Sequence, residues 1–91
     1  MSYEIRFTTR FKKDLKQVEK QGKNLNKLYD IIQKLADKTP LEAKYRDHDL
    51  QGEYAGCREC HIEPDWLLIY EYFNDILVLS LTRTGSHSDL F

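Results

Sequence analysis

Three histidines stand in this chain, at 48, 61 and 87, each in a polar segment at the end of an expected element. With Glu59, Asp65 and Arg83 they make a set able to move protons on a phosphodiester. That chemistry needs a base for the nucleophile's proton, an acid for the leaving oxygen and a fixed cation for the phosphorane charge. Histidine serves as acid or base near neutral pH, and the arginine fork matches phosphate. A competing chemistry is written beside His61. Cys57-Arg58-Glu59-Cys60-His61 fits the C-x-x-C-H pattern of haem attachment, and its first four residues fit a zinc or redox pair.

The elements that would carry these residues decide between the two. Tyr3 to Phe7 alternates apolar and polar residues, the period of a half-buried strand. Thr8 or Thr9 can cap a helix in which Phe11, Leu15 and Val18 form one stripe, ended by Gly22. Asn24 can cap a second helix with Leu25, Leu28, Ile31 or Ile32, and Leu35 inward. Residues 37–50 have no clean period and read as a long loop. Residues 57–62 then read as a strand, Pro64-Asp65 as a turn, Trp66–Phe73 as a central strand, Asn74-Asp75 as a tight turn, and Ile76–Thr82 as the last strand.

The order β-α-α-β-β-β predicts an α+β fold: a two-helix hairpin packed on one face of a small, mostly antiparallel sheet. At 91 residues the chain is expected to form one domain, 1–91. In a strand, side chains three apart face opposite ways, so Cys57 and Cys60 cannot grip one metal or haem edge. No metal, haem or redox role is therefore expected of them.

Charge is unevenly spread. Residues 1–38 hold ten Lys/Arg against five Asp/Glu (+5) and residues 39–91 four against ten (−6), which sum to the net −1. The basic half is either a solvated helix face or a polyanion-facing one. The first residues lack a signal peptide's apolar stretch and no run reaches membrane-spanning length, so a cytoplasmic protein without membrane contact is expected.

Three segments, DHDLQGEYAG, CRECHIEPDWLLIY and LTRTGSHSDLF, together resemble the RelE superfamily of bacterial type II toxins, most closely its YafQ-like branch. The resemblance spans essentially the whole chain. It implies a RelE-like fold and a ribosome-dependent, metal-independent mRNA endoribonuclease without cofactor. Such an enzyme cuts in the ribosomal A site by 2′-hydroxyl attack and is silenced by a cognate antitoxin. Carried over residue by residue, His87 resembles the general acid, Asp65 or His61 the general base, and His48 a second proton-handling group. Arg83 would stabilise phosphate charge, Phe91 would stack on a base, and Glu59 could orient His61 beside the RNA. The antitoxin implied is dimeric, of ribbon-helix-helix type, and operator DNA would be bound only by the toxin–antitoxin complex. An inactive homologue kept as an antitoxin-binding or operator-binding partner is the alternative. The slightly acidic net charge departs from the strongly basic family, so weak binding of free RNA is expected.

Overall fold

The computed structural model describes residues 2–91. Strand β1 (Glu4–Phe7) leads into helices α1 (Thr9–Lys20) and α2 (Leu25–Ala36). A two-residue strand, β2 (His48–Asp49), precedes β3 (Arg58–Glu63), β4 (Trp66–Phe73), β5 (Val78–Gly85) and the short helix α3 (His87–Leu90). The five strands form one sheet in the order β1-β5-β4-β3-β2, with β4 central as its apolar run predicted. Only β1 and β5 run parallel; the other three pairings are antiparallel.

The helices begin and end where local chemistry says they should. The Thr8 hydroxyl accepts the Phe11 N–H at 3.0 Å and donates to the Thr82 carbonyl at 2.8 Å, so one side chain caps α1 and ties it to β5. Gly22, at φ +79°, closes α1, with its own N–H on Glu19 and that of Lys23 on Val18. Asn24 caps α2 through the Asn26 N–H. Replacing Thr8 by Ala removes both the cap and the tie, and is expected to cost about 1–2 kcal/mol, read as a lower thermal midpoint. An unchanged midpoint would show that neither bond matters.

Phe11 and Val18 of α1, and Leu28, Ile31, Ile32 and Leu35 of α2, pack on Cys60, Ile62, Trp66, Leu68, Tyr70, Leu79 and Leu81. The other face of the sheet carries a smaller cluster of Tyr54, Cys57, Leu67, Ile69 and Leu90. β4 therefore buries both faces, which explains its unbroken apolar run. Trp66 lies in the helix-side core, its indole N–H donating to Thr84 Oγ1 at 3.0 Å.

Three expectations need correction, and the tail adds an element that was not foreseen. Residues 37–50 are not structureless: Ala43–Tyr45 form a 3₁₀ turn, and His48 and Asp49 pair with β3 because extended backbone there completes the sheet edge. The turn after β4 is longer than two residues, with Leu77 at φ +53°, which excludes Ile76 and Leu77 from the strand. β5 continues to Gly85 because its far half still pairs with β4 up to Leu67. The tail is helical where Ser86 and Asp89 cap each other reciprocally.

Candidate active site

Strand parity builds the site. In β3, Cys60 and Ile62 face the helices, so Glu59 and His61 take the opposite face, above Leu67 and Ile69, their partners on β4. The β2–β3 register sets His48 directly across from Glu59. At the far end of β3 the register shifts between His61 and Glu63, and the turn that follows presents Asp65. Asp65 reaches α3, where its Oδ1 accepts the His87 N–H at 3.0 Å and lies 3.5 Å from His87 Nδ1.

These positions align the rings in a row. His48 and His61 lie 6.3 Å apart between centroids, His61 and His87 5.9 Å, and His87 and Phe91 5.9 Å. Phe91 sits edge-on against Tyr54 and keeps 63% of its surface exposed, while Leu90 beside it docks in the smaller core. Leu90, not Phe91, is thus the residue that docks the C-terminus on the core.

Glu59 is the electrostatic centre of one end. It is buried, and its Oε1 lies 3.5 Å from both His48 Nε2 and His61 Nε2. Its Oε2 has no hydrogen-bond partner among the described residues. Each imidazole turns Nδ1 to a backbone carbonyl, His48 to Arg46 at 2.6 Å and His61 to Pro64 at 3.3 Å. A carbonyl only accepts, so Nδ1 carries hydrogen in both and Nε2 is left to exchange a proton beside Glu59. At the other end, the His87 N–H holds the Asp65 carboxyl below the usual carboxylate range.

Arg83 lies on the same sheet face but is not free. Its Nε and Nη2 contact Asp14 of α1 at 2.6 and 3.0 Å, and its Nη1 donates to Tyr54 Oη at 3.4 Å. The hydrogen bonds it donates to Asp14 hold its pKa above the ordinary arginine value. Asp14 also accepts the Thr84 N–H at 3.2 Å, satisfying a donor on the β5 edge that β1 is too short to cover. Sequence reasoning missed Asp14, yet the signal was there. It stands three residues after Phe11 and four before Val18, an acid on the buried stripe.

A second missed group holds His48. Arg58 bonds Asp47 at 3.3 Å and Asp49 at 2.5 Å, gripping both neighbours of His48, and the Tyr70 hydroxyl donates to Asp47. The two thiols do not converge. Cys57 belongs to the smaller cluster and Cys60 to the helix-side core, and burial pushes both thiols up, away from the reactive range.

A family model for the bacterial toxin YafQ of type II toxin–antitoxin systems matches residues 3–91. The chain belongs to the YafQ toxin family. Within the family it is 42% identical over 89 residues to the mRNA interferase toxin YafQ of Escherichia coli K12, spanning 97% of this chain and 95% of that protein. The toxin in the crystal structure of the E. coli DinJ–YafQ toxin–antitoxin complex superposes with a TM-score of 0.90 at 40% identity, covering 100% of this chain and 99% of that one. A metal-bound toxin from Helicobacter pylori superposes at 0.92 with 44% identity, covering 98% and 99%. Among the described residues of this YafQ-family chain, no three His, Cys, Asp or Glu side chains converge as metal ligands. No helix among them is long and apolar enough to cross a membrane.

Proposed function

We propose that the chain is an endoribonuclease that cuts mRNA in the ribosomal A site by activating a 2′-hydroxyl against the adjacent phosphate. The observation that carries this reading is the row of His48, His61, His87 and Phe91 along one sheet face. A base takes the 2′-hydroxyl proton, the oxygen attacks phosphorus, and the 5′-oxygen departs with a proton from the acid. The products are a 2′,3′-cyclic phosphate and a 5′-hydroxyl.

His87 suits the acid. With Nδ1 facing Asp65, its Nε2 remains to give the proton to the leaving oxygen. Asp65 is poorly suited to be the base, because it is engaged with His87 and its carboxyl is held low. The imidazoles around Glu59 are better placed, since Glu59 stabilises the imidazolium that forms when His61 or His48 accepts a proton. Arg83, locked on Asp14, supplies a fixed positive charge for the phosphorane. Phe91, largely exposed beside His87, offers a stacking face to a base.

In this reading the set handles every proton without a metal. Chelation with EDTA is accordingly expected to leave cleavage unchanged once ribosomes are supplied with their own magnesium. Loss of cleavage that zinc or copper restores would overturn the metal-independent mechanism. Arg58→Ala is expected to lower kcat on the order of tenfold or more by releasing His48, and to add nothing on a His48→Ala background. Additive losses would mean that Arg58 acts elsewhere.

In this reading a cognate antitoxin, a dimer of ribbon-helix-helix type, holds the enzyme silent in the cytoplasm, and only the complex binds operator DNA. The E. coli relative solved with DinJ supports the pairing. The deciding experiment is mapping of mRNA 5′ ends after brief induction. New 5′-hydroxyl ends at a fixed codon position, dependent on translation, are expected. No new ends and no growth arrest would instead favour the inactive binding partner.

A further inference from the structure

A cleft of about 580 Å³ opens between α2 and the 3₁₀ turn at Ala43–Tyr45, and His61 forms part of its wall. It meets the imidazole row only at the open β3 edge beyond the two-residue β2, where His61 and Pro64 stand, while Ile62 lines it from the helix side. Its volume lies in the range of sites that seat a ligand. Four cations line it (Lys27, Lys34, Lys44 and Arg46) against the two carboxylates of Asp30 and Glu63. Lys27 is spent on Glu63 at 2.9 Å, and Lys44 reaches Glu42 only at 4.0 Å. Lys34 and Arg46 make no side-chain ion pair or hydrogen bond among the described residues. The cleft therefore offers positive charge without a partner. Tyr45, half-buried in the same wall, adds an aromatic face, with Lys44 Nζ 5.2 Å from its ring centre.

Arg46 carries a second peculiarity. It adopts the left-handed conformation at φ +50° and ψ +43°, which costs a non-glycine residue roughly 1 kcal/mol or more. Its carbonyl in that pose receives the His48 imidazole at 2.6 Å. One strained residue therefore orients a proton-handling imidazole with its backbone and places its side chain on the cleft. Free cations, an aromatic face and a reacting group at one end are what single-stranded nucleic acid requires.

We propose that this cleft seats the single-stranded RNA on one side of the scissile phosphate, with backbone phosphates on Lys34 and Arg46 and a base against Tyr45. The proposal rests on the ribonuclease reading and names where that substrate's flanking nucleotides lie. Phosphates seated in the cleft also reconcile an overall acidic chain with a polyanionic substrate, since affinity follows local charge rather than the net sum.

The test is fluorescence anisotropy of a short, labelled 2′-O-methyl RNA, which cannot be cut, titrated with the full chain at several salt concentrations. Arg46→Gln and Lys34→Gln are each expected to weaken binding several-fold and to lower the salt slope by about 0.7 for each phosphate no longer neutralised. Tyr45→Ala weakens binding with the slope unchanged. Lys12→Gln, outside the cleft, leaves both unchanged. Equal effects from Lys12→Gln, or none from Arg46→Gln and Lys34→Gln, would overturn the proposal. So would wild-type RNA affinity in an Arg46→Gln, Lys34→Gln protein that no longer binds purified antitoxin, because the cleft would then be a protein seat. Cleavage of ribosome-bound mRNA by wild type is scored in parallel. Binding through Arg46 without any cleavage would sink the ribonuclease reading and leave the cleft standing.

Discussion

His87→Ala is expected to lower the rate of mRNA cleavage by about 10²–10⁴-fold, the usual contribution of a general acid. Thermal stability should barely move, because the His87 side chain is 58% exposed and has no packing in the core for Ala to remove. The contrast separates chemistry from folding in one variant. Asp65→Asn should cost less, since the His87 N–H still finds an oxygen and only the orienting charge is removed. The sign of the pH effect follows from Asp65. Its carboxyl is held low, so its bond with His87 is complete above the usual carboxylate range and is lost only as pH falls through the depressed value. A His87→Ala enzyme that cuts at the wild-type rate would remove the acid from the mechanism. So would a loss explained wholly by a lower melting temperature.

Asp14→Ala should produce the largest loss of stability among single polar substitutions. It strips a bidentate partner from Arg83, whose side chain is only 11% exposed, and orphans the Thr84 N–H on the β5 edge. Breaking a largely buried pair from one side costs about 3 kcal/mol, because the remaining charge is left unpaired. For a domain of this size that corresponds to a fall in Tm of roughly 12–24 °C. Asp14→Asn keeps an acceptor and should lie between. Adding Arg83→Met to Asp14→Ala should recover much of the loss, since the stranded charge goes with it. A fall of only a few degrees for Asp14→Ala would mean the pair is effectively a surface one.

Much of this was legible in the residues. Period two in 57–62 placed Glu59 and His61 together and sent Cys60 to the other face, as the two side-chain clusters show. Thr8, Gly22 and Asn24 announced the helix ends, because caps and left-handed stops are local chemistry. What escaped depended on distance along the chain. Asp14 meets Arg83 across 69 residues, and no local pattern names a partner that far away. The parallel β1–β5 pairing escaped for the same reason. His48 was found by type, but its place opposite Glu59 depends on a two-residue strand too short to leave a periodic trace. Arg58 was read only as part of an accidental cysteine spacing, although its fork was the useful feature of that stretch.

The pairing of β1 with β5 has a consequence for how the protein is made. Glu4–Phe7 find their neighbour only at Val78–Leu81, so the first strand has no ladder partner until nearly the whole chain has been synthesised. Thr8 and Asp14 likewise wait for Thr82 and Arg83, and Asp65 for His87. A nascent chain lacking β5 therefore has neither the five-stranded sheet nor the complete row of His48, His61, His87 and Phe91. An enzyme of the proposed kind, aimed at translating ribosomes, is in this way incompetent on the ribosome that is building it. The row is completed only when α3 and Phe91, which follow the last strand, are out as well, and in the proposed reading that is also when the surface an antitoxin must cover is complete.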